Sequence, residues 1–333
     1  MRQTLSGKTG NVIVEDFEKI TSYWLGSAGL LNWNHLFVLP AWLEVWWNCF
    51  GGDQTPYLCS AKCGNELLGI APLLLQGQGV TFMGSPDVCD YLDCIVAPGR
   101  GEEFFQLLVQ HLKNQRVSFM DLGPVRGDST VLSCLIPLAE SAGWDFSVEQ
   151  EDVSLELDLP TTWEDFLLGL TAKERHEIRR KLRRLEEGTS EVRLRIVEEG
   201  PEARSGMETF LSLLKSSRPE KAAFMTAQMS SFFLSLAEAM AELKILKLYF
   251  LYLDGVAAAS ALCFEYDSAV YLYNSGYEPR YRHLSAGLLN KVMSIRECIG
   301  RGTKRYDFLK GAETYKHRLG GKPVPLYRCQ IDL

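Results

Sequence analysis

One stretch near the C-terminus, residues 269–309, constrains the fold most, because strand, loop, helix and strand patterns follow one another in it. Residues 269–277 are rich in Tyr and Val and predict a strand. Pro279 interrupts this pattern in a loop over residues 278–284. A helix is predicted from Ser285 to about Ile299, because apolar residues recur there at helical spacing, namely Leu288, Leu289, Val292, Ile295 and Ile299. Residues 304–309 predict a second strand, so the stretch is typical of an α/β protein.

The start of the predicted helix has the composition of an anion site. A helix N-terminus presents unpaired N–H groups and a partial positive charge. Ser285, Ala286 and Gly287 are small enough for a bulky anion to approach the backbone, and Arg282 and His283 add positive charge. The alternative is an ordinary capped helix that follows a solvated basic loop.

Three motifs in this region resemble a known family. The pattern Arg282-x-x-Ser285-x-Gly287 resembles the pyrophosphate loop of GNAT acyltransferases, usually Gln/Arg-x-x-Gly-x-Gly/Ala, with serine in place of the first glycine. Residues 306–311 (YDFLKG) and 315–321 (YKHRLGG) resemble the C-terminal signature of FemAB-like GNAT proteins. That group includes peptidoglycan aminoacyl transferases and acetyltransferase-like proteins of polysaccharide gene sets. The resemblance covers roughly Trp33 to Leu326.

The order of predicted elements suggests two related halves. Each half contains helix, hairpin, strand, helix and strand patterns, and the resemblance likewise implies two tandem GNAT-like lobes. We therefore expect an α/β (α+β) protein with two lobes, each a mixed, mainly antiparallel sheet flanked by helices. The expected lobes are residues 1–160 and 161–333, with the acyl-CoA site in the second and a basic helix at 171–188. Further strands are expected at 91–96 and 117–122.

Composition narrows the classes of function. The chain has 333 residues, of which 46% are hydrophobic, and a net charge of −7 that argues against DNA binding. Nine cysteines at irregular spacing, without a signal-peptide pattern in residues 1–10, indicate reduced thiols and a cytoplasmic location. No apolar run reaches the roughly 20 residues needed to cross a bilayer. The pairs Cys59/Cys63 and Cys89/Cys94 lack zinc-site spacing, so no metal is expected.

The resemblance implies that acetyl-CoA, or another acyl-CoA, is the co-substrate. Its pyrophosphate is expected on the start of the helix, at Arg282, His283, Leu284, Ser285, Ala286 and Gly287. Its pantetheine arm is expected along the preceding strand, at Asn274, Gly276 and Tyr277.

Four residues near the C-terminus are candidate catalytic groups. Lys316 lies in a segment that resembles the Phe-Lys-x-x-Phe-Gly-Gly element of the aminoacyl transferases, whose lysine helps to stabilise the oxyanion. Asp307 could orient Lys316 or accept a proton from the acceptor, and Glu313 is a second carboxylate in reach. Tyr315 could protonate the departing thiolate, a role that tyrosine often has in GNAT enzymes. The alternatives are a surface lysine and a structural aspartate.

Two segments are candidate acceptor sites. Thr171 and Glu174 form a capping box for the basic helix, on which Arg175 and Arg179 share a face, and the resemblance implies that one of them contacts acceptor phosphates. A solvated helix face is the alternative. Residues 89–93 (CDYLD) resemble the family's Ser-Asp-Tyr-x-Asp element, so Asp90, Tyr91 and Asp93 are candidates, unless these aspartates only cap a turn.

Together these features predict an acyltransferase that moves an acyl group, most simply acetyl, directly from acyl-CoA to an amine or hydroxyl. The acceptor would be a small molecule, a sugar or a cell-envelope precursor such as a peptidoglycan precursor. One alternative is an aminoacyl-tRNA-dependent transferase, although the negative charge and the short helix at 171–188 make a tRNA partner unexpected. The other is a non-catalytic protein that binds acyl-CoA or carbohydrate, which Ser285 keeps open.

Overall fold

A computed structural model describes residues 10–26 and 30–333. The segment on which the signal-peptide expectation depends lies, except for Gly10, outside these residues. The chain divides into two compact units. One unit consists of the chain up to Asp152 together with Val324–Leu333, and the other is Val153–Pro323. The last ten residues thus pack with the first unit, which a simple division at residue 160 does not anticipate.

The first unit is built on a mixed sheet. Its strands are β1 (Gly10–Glu15), β2 (Thr55–Cys63), β3 (Glu66–Gln76), β4 (Gly79–Phe82), β5 (Ile95–Val96), β6 (Phe119–Arg126) and β13 (Lys322–Asp332). Its helices are α1 (Phe17–Gly26), α2 (Pro40–Phe50), α3 (Gly101–Asn114) and α4 (Ile136–Ala142), with a π-helical turn at Val131–Leu135 and a 3-10 turn at Leu36–Val38. The strand order is β1-β2-β3-β4-β6-β13, in which only β4 and β6 are parallel neighbours and β5 pairs with β3.

The second unit repeats that order. Strand β7 (Phe146–Asp158) enters it and is followed by β8 (Val192–Val197), β9 (Leu246–Leu253), β10 (Val256–Tyr266), β11 (Ala269–Tyr277) and β12 (Arg305–Lys310). The helices are α5 (Trp163–Gly169), α6 (Ala172–Glu187), α7 (Pro201–Ser217), α8 (Pro219–Phe224), α9 (Ala227–Glu242), α10 (Ala286–Arg301) and α11 (Thr314–Arg318), with a 3-10 turn at Pro279–Leu284. The order is β8-β9-β10-β11-β12-β7, and again one pair, β11 and β12, is parallel.

Each unit therefore has four antiparallel strands, one parallel neighbour and a final antiparallel strand. The predicted α/β class, with mixed and mainly antiparallel sheets flanked by helices, is confirmed. The first unit receives its final strand from the end of the chain, whereas the second receives it from the segment that precedes its helices.

Local sequence explains the elements that hold the second unit's sheet. Asp254 and Gly255 have positive φ angles of 48° and 79°, which suit the tight turn between β9 and β10. Gly276 lets α7 cross β11 closely, because a Cβ at this position would lie 2.4 Å from the Leu214 nitrogen. The core beneath these strands includes Tyr249, Leu272 and Tyr306, all of them buried.

Some predicted boundaries were wrong. Only Ile95–Val96 of the expected strand at 91–96 is extended and paired, because Cys89–Asp93 is a loop in which the Asp93 carboxylate accepts from the N–H groups of Cys94 and Thr130. The strand expected at 117–122 runs from Phe119 to Arg126. Helix α5 and strand β8 were not predicted. None of the helices in the described residues is long and apolar enough to cross a membrane.

Candidate functional site

The parallel strands β11 and β12 diverge after a short paired segment. Pairing joins Ala269–Tyr271 to Arg305–Asp307, and beyond these residues β11 keeps only its β10 partner while β12 keeps only β7. A bulge in β11 after Leu272 skips one residue, since Cys263 pairs with Leu272 but Leu262 pairs with Asn274. The result is a wedge with two backbone edges, at the carboxyl ends of the strands and next to the turn that leads into α10.

The N-terminus of α10 offers free backbone donors. Leu288 and Leu289 donate their N–H groups to the Ser285 carbonyl, whereas the N–H groups of Ala286 and Gly287 point out of the helix without a partner in the described residues. Ser285 has a left-handed backbone, with φ 59° and ψ 33°, and its side chain caps no N–H group. The residue that replaces the usual glycine of the motif therefore adopts the conformation that glycine favours.

Positive charge surrounds this helix start. Lys181 of α6 donates from Nζ to Ser285 Oγ at 2.7 Å and lies 3.3 Å from Glu177. Arg282 and His283 are exposed, and His283 Nδ1 lies 2.9 Å from the Arg280 carbonyl. Leu284 and Ala286, by contrast, are buried in the core. Lys181 was missed by sequence reasoning because the contact with position 285 spans 104 residues.

The edge of β11 that was predicted to hold the pantetheine arm is partly occupied. The Ser275 N–H donates to Asn274 Oδ1 at 2.9 Å, and the Ser275 carbonyl accepts from Lys221 Nζ at 2.5 Å. The Tyr277 ring lies against Gly287, where a Cβ would approach it to 3.1 Å. Tyr277 and the start of α10 are thus close neighbours. Gly276 is accounted for by packing, because α7 crosses β11 too closely there for a side chain.

Lys316 fixes the turn that follows β12. Its Nζ donates to the carbonyls of Leu309, Lys310 and Gly311 at 3.0, 2.6 and 3.1 Å. It also pairs with Glu313 Oε2 at 2.8 Å, and its side chain is only 3% exposed. Burial opposes ionisation of Glu313, but the Lys316 ammonium outweighs burial and lowers the pKa of this carboxyl. In this arrangement the ammonium is fully engaged by the protein, so its predicted role at an oxyanion would require the turn to release it.

Asp307 and Tyr315 flank that turn. Asp307 is completely buried, and its Oδ1 accepts from the Leu309 N–H at 2.7 Å and from Ser154 Oγ at 3.3 Å. These bonds support the bulge in β12, where Leu309 has a φ of 61°. Burial, followed by the Glu313 charge, raises the pKa of the Tyr315 phenol. Tyr315 therefore stays protonated at neutral pH and is able to donate.

The candidate acceptor residues occupy separate surroundings. On α6, Arg175 is half-buried and Arg179 is exposed, and neither forms an ion pair with a described residue. The Thr171 side chain accepts from the Glu174 N–H at 3.2 Å, as the capping box predicts.

In the first unit, Asp90 is half-buried and Tyr91 is buried, with its ring edge-on to Phe37 and 5.0 Å from it. Asp93 is buried and accepts from the N–H groups of Cys94 and Thr130 at 2.8 Å and from Thr130 Oγ1 at 2.6 Å. Burial raises the pKa of the Asp93 carboxyl to about 6 despite these bonds. Asp93 thus joins its own loop to the segment at Thr130.

The search of the described residues for a group of His, Cys, Asp or Glu that could hold a metal ion found none.

Two lysines beside the wedge were not predicted. Lys221 of α8 contacts Asn274 and Ser275, and Lys291 of α10 is 7% exposed with its Nζ 5.1 Å from the centre of the Tyr315 ring. Lys291 follows Leu288 by three residues and precedes Ile295 by four, so it lies on the apolar face of α10. A lysine within that apolar stripe was the signal in the sequence.

Part of the second unit is similar to a known family of domains. Residues 172–317 match the family model described as an acetyltransferase (GNAT) domain. No curated protein matches the chain. Among solved structures, FemX is 13% identical, with 96% of each chain covered and a TM-score of 0.64.

Two further structures share this fold. The C-terminal domain of a putative lysylphosphatidylglycerol synthetase from Agrobacterium fabrum is 11% identical over 87% of this chain and 86% of that chain, with a TM-score of 0.54. L-PGS from Bacillus licheniformis is 11% identical over 86% of this chain and 90% of that chain, with a TM-score of 0.53. At such low identity these structures establish the fold alone.

Proposed function

We propose that this chain, which contains a GNAT acetyltransferase domain within a FemX-like two-lobed fold, transfers an acyl group from acyl-CoA to an amine or hydroxyl. The simplest donor is acetyl-CoA. The observation that supports a CoA donor most directly is the start of α10, where the free N–H groups of Ala286 and Gly287 meet the positive charge of Lys181 and Arg282.

The donor would extend from α10 along β11. Its pyrophosphate would accept hydrogen bonds from Ala286 and Gly287, since a helix N-terminus stabilises phosphate charge. The pantetheine arm would follow Tyr277 toward Asn274, and the thioester would then lie within the wedge between β11 and β12. Lys221 would have to release the Ser275 carbonyl for the arm to pair with it.

The chemical step needs one base and one acid. The lone pair of the acceptor attacks the thioester carbonyl, a tetrahedral intermediate forms, the C–S bond breaks and CoA leaves as a thiolate. Glu313 is ionised and could take the acceptor's proton, and Tyr315 is protonated and could supply one to the thiolate. Asp307 and Lys316 would hold the turn after β12 in place, and Glu313 and Tyr315 follow that turn.

Calorimetric titration with acetyl-CoA tests the donor site. Gly287→Trp should abolish binding, because the new side chain would collide with Tyr277 and cover the free N–H groups. Gly300→Trp is the matched control on the same helix, since nothing lies within 4 Å of a Cβ at that position. Absence of wild-type binding at millimolar acetyl-CoA would rule out this donor.

Aminoacyl transfer is a second candidate. The observation in its favour is the fold shared with the lysylphosphatidylglycerol synthetase domain. The acceptor would then be a lipid or another envelope precursor, and Arg175 and Arg179 on α6 would suit its phosphate. Incubation with aminoacyl-tRNA and a lipid or peptidoglycan precursor would distinguish this donor from acetyl-CoA. A protein that binds acyl-CoA but releases no thiol with any acceptor would be a non-catalytic binder.

A further inference from the structure

The wedge between β11 and β12 is bordered by more positive than negative charge. The Lys221 charge lowers the pKa of Lys291, and the charge of Arg218, an exposed residue directly after α7, lowers the pKa of both lysines. The carboxylate that faces them is Glu313, which already pairs with Lys316 at 2.8 Å. Among the described residues, these four cations therefore lie around one carboxylate.

No ion pair joins Lys291 to a carboxylate in the part of the chain that the structure describes. Its Nζ donates to the Gly287 carbonyl at 3.1 Å, which is a bond within its own helix, and otherwise lies over the Tyr315 ring. An ammonium has three donors, so at least one remains for a ligand. Burial, followed by the Lys221 charge, lowers the pKa of Lys291 to about 7. A buried lysine without a counter-ion is costly, and an anion in the wedge would offset that cost.

Lys221 borders the same space from the β11 side. Its Nζ bonds Asn274 Oδ1 at 2.9 Å and the Ser275 carbonyl, both on the diverging part of the strand. Burial, followed by the Arg218 charge, lowers the pKa of Lys221 to about 8. Lys221 therefore contacts β11 on one side of the wedge, and Lys291 contacts α11, which follows β12, on the other.

We propose that Lys221 and Lys291, assisted by Arg218, bind the carboxylate of a substrate in the wedge. This inference rests on the proposed acyl transfer for the position of the reacting groups, and it names the substrate class. The carboxylate belongs either to the acyl group, as in a dicarboxylic acyl-CoA, or to the acceptor, as in an amino acid. The lysines hold the carboxylate and thereby select such substrates over neutral ones of the same shape.

Paired ligands that differ only in the carboxylate test the proposal. The donor arm compares S-(2-carboxyethyl)-CoA with S-propyl-CoA by calorimetry. The acceptor arm compares succinate with its neutral diamide in the presence of S-propyl-CoA. We expect a preference of roughly 10- to 100-fold for the acid in one arm, the value of one or two charge-assisted hydrogen bonds. The arm that shows the preference identifies which substrate bears the carboxylate.

Lysine variants and proton uptake separate ligand binding from a structural role. Lys221→Met and Lys291→Met should remove the preference for the acid, measured as the ratio of acid to neutral affinity in each variant, whereas Lys215→Met, at an exposed position of α7, should preserve it. Because the lysines are partly neutral near pH 8, the acid should bind with proton uptake, measured in two buffers of different ionisation enthalpy. If a variant does not fold, wild-type proton uptake on binding the acid but not the neutral analogue decides.

Equal affinity for acid and neutral ligand in both arms would overturn the carboxylate site while leaving the donor site intact. If neither CoA compound binds, the proposed donor fails instead. Succinate against its diamide, without CoA, then decides on the lysine site alone: a preference for succinate that both methionine variants lose supports the site, and no preference overturns it.

Discussion

Ser285 adopts a backbone conformation that costs an L-amino acid about 1 kcal/mol, and nothing in its side chain makes that conformation easier. Its Oγ does accept a hydrogen bond from Lys181. The position thus keeps the shape of a glycine and adds a contact to α6. Resemblance to the glycine motif identified the loop, but only the φ angle of 59° explains why the motif has glycine there.

At position 285, glycine should stabilise the protein more than alanine does, which is the reverse of the usual order in helices. Ser285→Gly should be about 1 kcal/mol more stable than Ser285→Ala, because both lose the Lys181 bond and only alanine retains the left-handed strain. Gly300→Ala, within α10, should show the ordinary order and stabilise the protein by about 0.5–1 kcal/mol. Urea denaturation of the four proteins measures both differences, and an alanine variant at 285 as stable as glycine would contradict the first.

Lys291 should make stability depend on pH. Its pKa is about 7 in the folded protein against an ordinary 10.5, so the unfolded chain binds more protons between these values. The free energy of unfolding should therefore rise with pH across this window, by up to about 1.4 kcal/mol per pH unit from this group. Lys291→Met should be more stable than wild type at pH 7, and the difference should shrink toward pH 10. A difference that stays constant from pH 7 to 10 would contradict the assignment.

At the scale of elements, the sequence predicted helices and strands best where nearby residues alone determine the local structure. Strands β9, β10 and β11 and the C-terminal end of α10 follow from continuous apolar runs, a turn and glycine. The loop at Cys89–Asp93 was misassigned because its structure depends on Thr130, which lies 37 residues away from Asp93. Lys221 was missed for the same reason, since it meets Asn274 across 53 residues.

The cap of α6 can be tested as an element. Thr171→Ala should lower the free energy of unfolding by about 1 kcal/mol, because the Glu174 N–H loses its acceptor. Thr161→Ala is the control, since Thr161 is exposed and bonds no described residue. Chemical denaturation compares the two, and equal losses would show that the cap adds nothing.

At the scale of the whole molecule, the two units have the same strand order but receive their last strand from different places. Ile331 on β13 is fully buried in the first unit, and Leu319 is 1% exposed in the core of the second. Leu319 and Ile331 are only 12 positions apart, yet they belong to different units. The sequence did not predict this division, because strand pairing partners are not encoded locally.

Hydrogen exchange should separate the units. Ile331→Ala should cost about 2–4 kcal/mol and accelerate exchange in β6, which pairs with β13, but not in β10. Leu319→Ala should accelerate exchange in the second unit. Mass spectrometry of peptides from β6 and β10 measures both, and faster exchange of β10 in the Ile331 variant would contradict the assignment of β13.

The position of β13 also has a consequence for biosynthesis. Leu326 pairs with Arg126, so the partners β6 and β13 are separated by 200 residues of sequence. At a translation rate of about 5–20 residues per second, β6 leaves the ribosome roughly 10–40 s before its partner exists. An unpaired edge exposed for that time is a target for chaperones or for mispairing with another nascent chain. The first half of the chain is thus the first to be made and the last to be completed.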